Sequence, residues 1–152
     1  MIKADIGLEV ASLELPGWDH HDREAPRLAA LLQELGGALA AFDADLGARM
    51  AGVDVVALTE FGRRAAQNAS LGTDHGCGGL MLLLGGGVAG GQVYTLWPGL
   101  RSSQLRDGDL DVTIDYRTVL SELLVKRLGN GRVDAVFPGF APQPFVGAFR
   151  AS

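Results

Sequence analysis

Two short apolar runs constrain this chain most. Val53 to Leu58 and Leu80 to Leu84 carry almost no polar residue. That is the pattern of central strands covered on both faces, not of strands with one wet face. Between the runs lies a polar loop, and after the second come Gly85-Gly86-Gly87 and Gly90-Gly91, which read as a turn into a further strand from Val93 to Trp97. Leu8 to Leu15 alternates loosely, is compatible with a strand, and ends at Pro16-Gly17; Val112 to Ile114 is a brief strand.

Helices are expected on either side of these strands. Leu28, Leu31, Leu32, Leu35, Leu39, Phe42 and Leu46 recur at steps of three and four and form one apolar stripe, with Asp22 as its candidate N-cap. Gly36-Gly37 interrupts the pattern at about 1 kcal/mol per glycine relative to alanine, which suits a bend or a close packing. Asp115 caps a second amphipathic helix that turns Val119, Leu120, Leu123, Leu124 and Leu128 to the core, carries Lys126 and Arg127 in its last turn and stops at Gly129. The stretch from Pro138 to Pro144 is irregular. With 152 residues, 47% of them apolar, no repeat and no long linker, residues 1–152 read as a single α/β domain.

Charge and cysteine content exclude several classes. The net charge is −5 and no segment concentrates Lys or Arg, so the electrostatic footprint of a nucleic-acid binder is missing. Leu80 to Leu84 is far too short to span a bilayer, and Met1 to Asp5 lacks the apolar core of a signal peptide, so a cytoplasmic chain without a membrane partner is expected. The single cysteine, Cys77, cannot form an internal disulfide or a thiolate zinc cluster; it reads as a small loop residue.

All three histidines fall in two acidic clusters, Gly17-Trp18-Asp19-His20-His21-Asp22 and Gly72-Thr73-Asp74-His75-Gly76. Taken alone, an Asp-His pair between glycines is a turn, and Asp19 to Asp22 is a helix cap with a solvated face. Taken together, Asp19, His21, Asp74 and His75 supply the three or more nitrogen and oxygen ligands that a divalent metal such as zinc wants at about 2.0–2.2 Å. Neighbouring residues on an extended backbone point to opposite sides, so His20 and His21 would not both bind one ion. Glu60 and Arg63 come after an apolar run and fit a metal ligand or acid/base group and an anion clamp respectively, or equally a surface ion pair worth about 0–1 kcal/mol. Gly85 to Gly90 matches G-x-G-x-x-G, but the segment from Gln92 to Trp97 reads as a strand and not as the helix a pyrophosphate needs, so the match is taken as a turn.

The motifs Gly17-Trp18-Asp19-His20-His21, Thr59-Glu60-Phe61-Gly62-Arg63, Gly72-Thr73-Asp74-His75-Gly76, Leu84-Gly85-Gly86-Gly87, Trp97-Pro98-Gly99-Leu100, Asp115-Tyr116-Arg117 and Val136-Phe137-Pro138-Gly139-Phe140 occur in that order. In this they resemble the C-terminal part of the domain-of-unknown-function 1501 proteins, which are similar to the alkaline phosphatase and sulfatase superfamily. The resemblance runs from about residue 2 to residue 140. It implies an α/β three-layer sandwich, here a fragment, with a mostly parallel central sheet flanked by helices and metal ligands in loops at strand ends. By resemblance Asp19 and His21 belong to one metal site, and Asp74 and His75 to the other.

Three departures accompany the match. The superfamily's N-terminal part, with its Ser, Thr or formylglycine nucleophile and an early Asp ligand, has no counterpart here, and no histidine comes after His75. Position 20, a small hydroxyl residue in the family motif, is His. The resulting expectation is a metal-dependent hydrolase of small-molecule phosphate, sulfate or related esters that uses a metal-activated water. Its ligands would be Asp19, His21, Asp74 and His75, with His20 or Glu60 as acid/base and Arg63 facing the anion. A half-sheet leaves an open edge, for which a homodimer is the simplest remedy. The alternatives are a non-catalytic interaction module and a metal-stabilised structural domain. Parental families often carry export signals.

Overall fold

The fold was determined as a computed structural model, which describes residues 1–141 and 143–151. It divides into two compact units: residues 1–49 with 67–74, and residues 50–66 with 75–152.

The first unit is organised by helix α1, Glu24–Leu46. Its apolar stripe behaves as the spacing predicts: Leu28, Leu31, Leu35, Leu39 and Phe42 are half-buried and Leu46 is buried, while Leu32, at the edge of the stripe, is half exposed. The helix runs straight through Gly36 and Gly37 in its hydrogen bonding, and a Cβ at either position would meet open space, so neither glycine serves a close approach. Asp22 is not the N-cap. That place falls to Arg23, in a left-handed conformation and without a side-chain cap, while Asp22 takes Arg27 Nη1 at 2.9 Å. The first helical amides are instead served by a loop: Arg23 N donates to Ser70 O at 3.0 Å and Glu24 N to Leu71 O at 2.9 Å. Backbone carbonyls thus replace the usual side-chain cap on donors that the helix leaves open. Residues 8–15, expected as a strand, form no strand or bridge among the described residues; Val10 and Leu13 are 71% and 94% exposed.

The second unit holds two small sheets. Strands β1 (Asp54–Leu58) and β4 (Met81–Gly85) pair antiparallel, with Val56 opposite Leu83; β2 (Gly62–Arg63) and β3 (His75–Gly76) pair antiparallel, with Arg63 opposite His75. This overturns the expected three-layer sandwich with a mostly parallel central sheet: no parallel pair forms among the described residues. Parallel neighbours need a crossover, usually a helix, and the connection from Leu58 to Met81 contains the short strands β2 and β3 and no helix. Both apolar runs contain strands, but these pair with each other and are not covered on both faces: Leu58, Leu80 and Leu82 are 49%, 66% and 43% exposed. The expected strands at 93–97 and 112–114 are absent; Val93, Leu96 and Trp97 are 86%, 67% and 60% exposed.

Helix α2, Tyr116–Lys126, starts as expected, with Asp115 accepting the Arg117 amide at 2.8 Å; it ends before Leu128, which is exposed. A short helix α3, Val133–Val136, comes next. The expected irregular stretch from Pro138 to Pro144 forms no helix or strand in its described residues, and Pro142 lies outside them. The core is built from Val88, Val119, Ala148 and Phe149, with Val56, Met81, Leu83, Tyr94, Ile114, Leu123 and Val146 packed against it.

Two buried carboxylates hold this unit together. Glu122 on α2, fully buried, accepts the amides of Gly147 (3.0 Å), Ala148 (3.2 Å) and Phe149 (3.1 Å) and the Lys126 ammonium at 2.6 Å. Lys126 also donates to Phe149 O at 2.8 Å. Asp54 on β1 accepts Gly87 N at 2.8 Å and Arg127 Nε at 2.7 Å. The triple glycine is therefore a packing turn: a Cβ on Gly86 would strike the Ala51 backbone, and one on Gly87 would strike the Arg127 guanidinium.

Candidate metal centre

The first unit brings three of the sequence-selected residues together. Its loop 67–74 folds back on the start of α1 through the Arg23 and Glu24 amides and an isolated antiparallel bridge between Asp22 and Leu71. Thr73 N donates to His20 O at 3.2 Å, and the Thr73 hydroxyl donates to Glu24 Oε2 at 2.8 Å. The approach is so close that a Cβ on Gly72 would overlap the His21 carbonyl and the Asp22 nitrogen, which explains the glycine. Local backbone pairing thereby carries Asp74 to His21.

The geometry centres on the His21 imidazole. Its Nε2 lies 3.0 Å from Asp19 Oδ1 and its Nδ1 lies 3.1 Å from Asp74 Oδ1. All three side chains are about half exposed. A ring that donates from Nδ1 to Asp74 presents its Nε2 lone pair towards Asp19. Nitrogen and oxygen atoms that share one ion at about 2.1 Å each stand about 3.0 Å apart at right angles and about 3.4 Å apart at zinc's tetrahedral angle, so the Asp19–His21 pair needs to open only by a few tenths of an ångström to share one cation.

Asn68 was not singled out from the sequence. Its Nδ2 donates to Asp74 Oδ1 at 3.1 Å and to His21 O at 3.0 Å, while its Oδ1 accepts Ser70 N at 2.9 Å and Gly72 N at 3.0 Å. The polar run Asn68-Ala69-Ser70 before Leu71-Gly72 held the signal, since Asn organises turns by bonding backbone two residues on.

The remaining selected residues are held by other contacts. His20 is buried at 3% exposure, turned away from solvent although its neighbours are open. His75 belongs to the second unit, where its ring stacks on Phe61 with centroids 3.8 Å apart. Arg63 sits on β2 opposite His75, with its guanidinium 5.2 Å from the Phe61 ring. Glu60 is exposed in the bend before β2. Cys77 is exposed and free. Among the described residues no helix is long and apolar enough to cross a membrane.

No curated protein and no solved structure matches the chain. A family model does, over residues 3–127, a span that takes in α1, both sheets, α2 and every residue of the centre described above. The chain therefore belongs to the DUF1501 family, described as proteins of unknown function.

Proposed function

We propose that this chain is a divalent-metal-dependent hydrolase of phosphate, sulfate or related esters, in keeping with its resemblance to the alkaline phosphatase and sulfatase superfamily. The observation that carries the reading is the 3.0 Å approach of His21 Nε2 and Asp19 Oδ1 on a solvent-open loop. Zinc is the ion best suited to one imidazole and one carboxylate with water in the remaining positions. Once bound, such an ion lowers the pKa of water and polarises an ester oxygen. The chain's own part is to hold that charge and to orient it. Asp19 contributes a carboxylate, His21 a neutral nitrogen, and the backbone pairing of loop 67–74 keeps both in place.

His20 is too buried to exchange protons with a substrate, and the proposal does not depend on it or on Glu60 and Arg63. That same burial favours one rival, a metal-binding domain without turnover. Elemental analysis of the purified protein, and then assays on phosphate and sulfate monoesters with and without chelator, separate the two. Chelator-sensitive turnover that disappears in Asp19→Asn and His21→Ala is expected. Stoichiometric metal with no turnover on any ester would leave the rival, and no metal at all would remove both.

A further inference from the structure

Resting on the reading that Asp19 and His21 share an ion, we propose that Asp74 is not a further ligand of that ion. It fixes the tautomer of His21, and Asn68 is the residue that positions Asp74. The two imidazole nitrogens point to different sides of the ring, and the two carboxylates divide between them: Asp19 at Nε2 and Asp74 at Nδ1. An ion held by Nε2 and Asp19 lies away from the Nδ1 edge, where Asp74 Oδ1 is placed to accept a proton. Metal-binding histidines commonly donate their second ring N–H to a carboxylate, which sets the tautomer and raises the basicity of the bound nitrogen.

Asn68 makes that arrangement rigid. Its amide can donate two hydrogen bonds and accept two, and the structure uses all four. The acceptor half shapes the loop through Ser70 and Gly72. The donor half grips the Asp74 carboxylate and the His21 carbonyl, so one NH2 group ties the tautomer-fixing oxygen to the backbone of the residue it serves.

Asn68→Asp separates the halves, because it keeps the acceptor for Ser70 and Gly72 and replaces the donor with a charge facing Asp74. The test is ring 15N NMR of metal-free Asp19→Ala, which removes the competing acceptor at Nε2, at a pH where His21 is neutral. That variant is expected to carry its proton on Nδ1, whereas a free histidine prefers Nε2. Adding Asp74→Ala should move the population to Nε2–H, and adding Asn68→Asp should move it the same way, with the Ser70 and Gly72 amides still hydrogen-bonded. Zinc affinity should fall by about 10- to 100-fold in Asp74→Ala, and Asn68→Asp should cost less in that variant than in the wild type. The absorption spectrum of bound cobalt(II) should keep its coordination bands. An unaltered tautomer on adding Asp74→Ala, or a cobalt spectrum that loses a ligand, overturns the inference. A wild type that takes up no ion sinks the metal reading instead, and the tautomer result still decides the role of Asp74.

Discussion

Glu122 accepts the Phe149 backbone amide at 3.1 Å with its carboxylate wholly out of water, and with Lys126 it ties the last core segment to α2. Glu122→Gln keeps the shape but removes the charge that Lys126 faces and turns an NH2 group towards backbone donors. Breaking one side of a buried pair costs about 3–5 kcal/mol. Urea unfolding should show a loss in that range; a change below about 1 kcal/mol would mean the clamp contributes little.

The same carboxylate makes stability depend on pH. Burial pushes the Glu122 carboxyl up, but the Lys126 hydrogen bond and those from the Phe149 and Ala148 amides together outweigh it, and the folded group titrates below its ordinary 4.5. Asp115 is likewise held below its ordinary 3.8, chiefly by the hydrogen bond from the Arg117 side chain, with burial opposing. In both cases the unfolded chain binds the proton more readily, so stability rises with pH across this region. Glu122's contribution is complete above pH 4.5 and is lost as pH falls through the lower, folded value. Unfolding free energy measured from pH 6 to pH 3 should decline more steeply in the wild type than in Glu122→Gln. Parallel curves would show that Glu122 does not govern the acid limb.

Gly87 faces a comparable test. Its amide donates to Asp54, whose side chain is only 7% exposed and pairs with Arg127, and there is no room for a methyl group beside that guanidinium. Gly87→Ala should push Arg127 off Asp54 and leave a buried carboxylate short of its partner, lowering stability by about 3 kcal/mol. Thermal unfolding checks it, and a wild-type midpoint would show that Arg127 relocates without loss.

Binding of an ion to the folded state alone stabilises it by mass action, by about 2.7 kcal/mol at a hundred times the dissociation constant. Zinc titrated into the metal-free protein should therefore raise its thermal midpoint and chelator should reverse the rise. Asp19→Asn should abolish the shift while leaving the metal-free midpoint in place, because the Asp19 side chain is about half exposed. A shift that survives in Asp19→Asn would move the ion to other ligands.

Helix α1 and the cap of α2 could be read in advance because their signals are local: a stripe at steps of three and four, and Asp115 one residue before Tyr116. The strands could be located but not joined. Apolarity marks Val56 and Leu83 for the core, where they end half-buried, but nothing in either run says that they face each other antiparallel, since pairing is decided by the connection between them. Val93 to Trp97 shows the limit, for an apolar run becomes a strand only where a partner exists. At the candidate centre residue type pointed to Asp19, His21 and Asp74. The local pattern marks Asn68 as a turn residue, but the buried state of His20 and the grip of Asn68 on Asp74 depend on how loop 67–74 folds back.

Gly72 offers the sharpest test of that fold-back. The loop reaches His21 only because position 72 has no side chain; a methyl group there would meet the His21 carbonyl and the Asp22 nitrogen, which are backbone atoms and cannot swing aside. Gly72→Ala should lift the loop, break the Thr73–His20 contact and withdraw Asp74 from His21. Its cost should fall on the first unit, because the close approach and the hydrogen bonds around it lie within residues 1–49 and 67–74. Hydrogen exchange should therefore speed up at Arg23, Glu24 and Thr73 while the amides of Ala148 and Phe149 keep their protection. Zinc affinity should drop at least as far as in Asp74→Ala, because the loop withdraws with the carboxylate. If exchange at Arg23 and Glu24 is unchanged, the loop docks without needing glycine; if affinity holds while exchange rises, the ion is bound independently of loop 67–74.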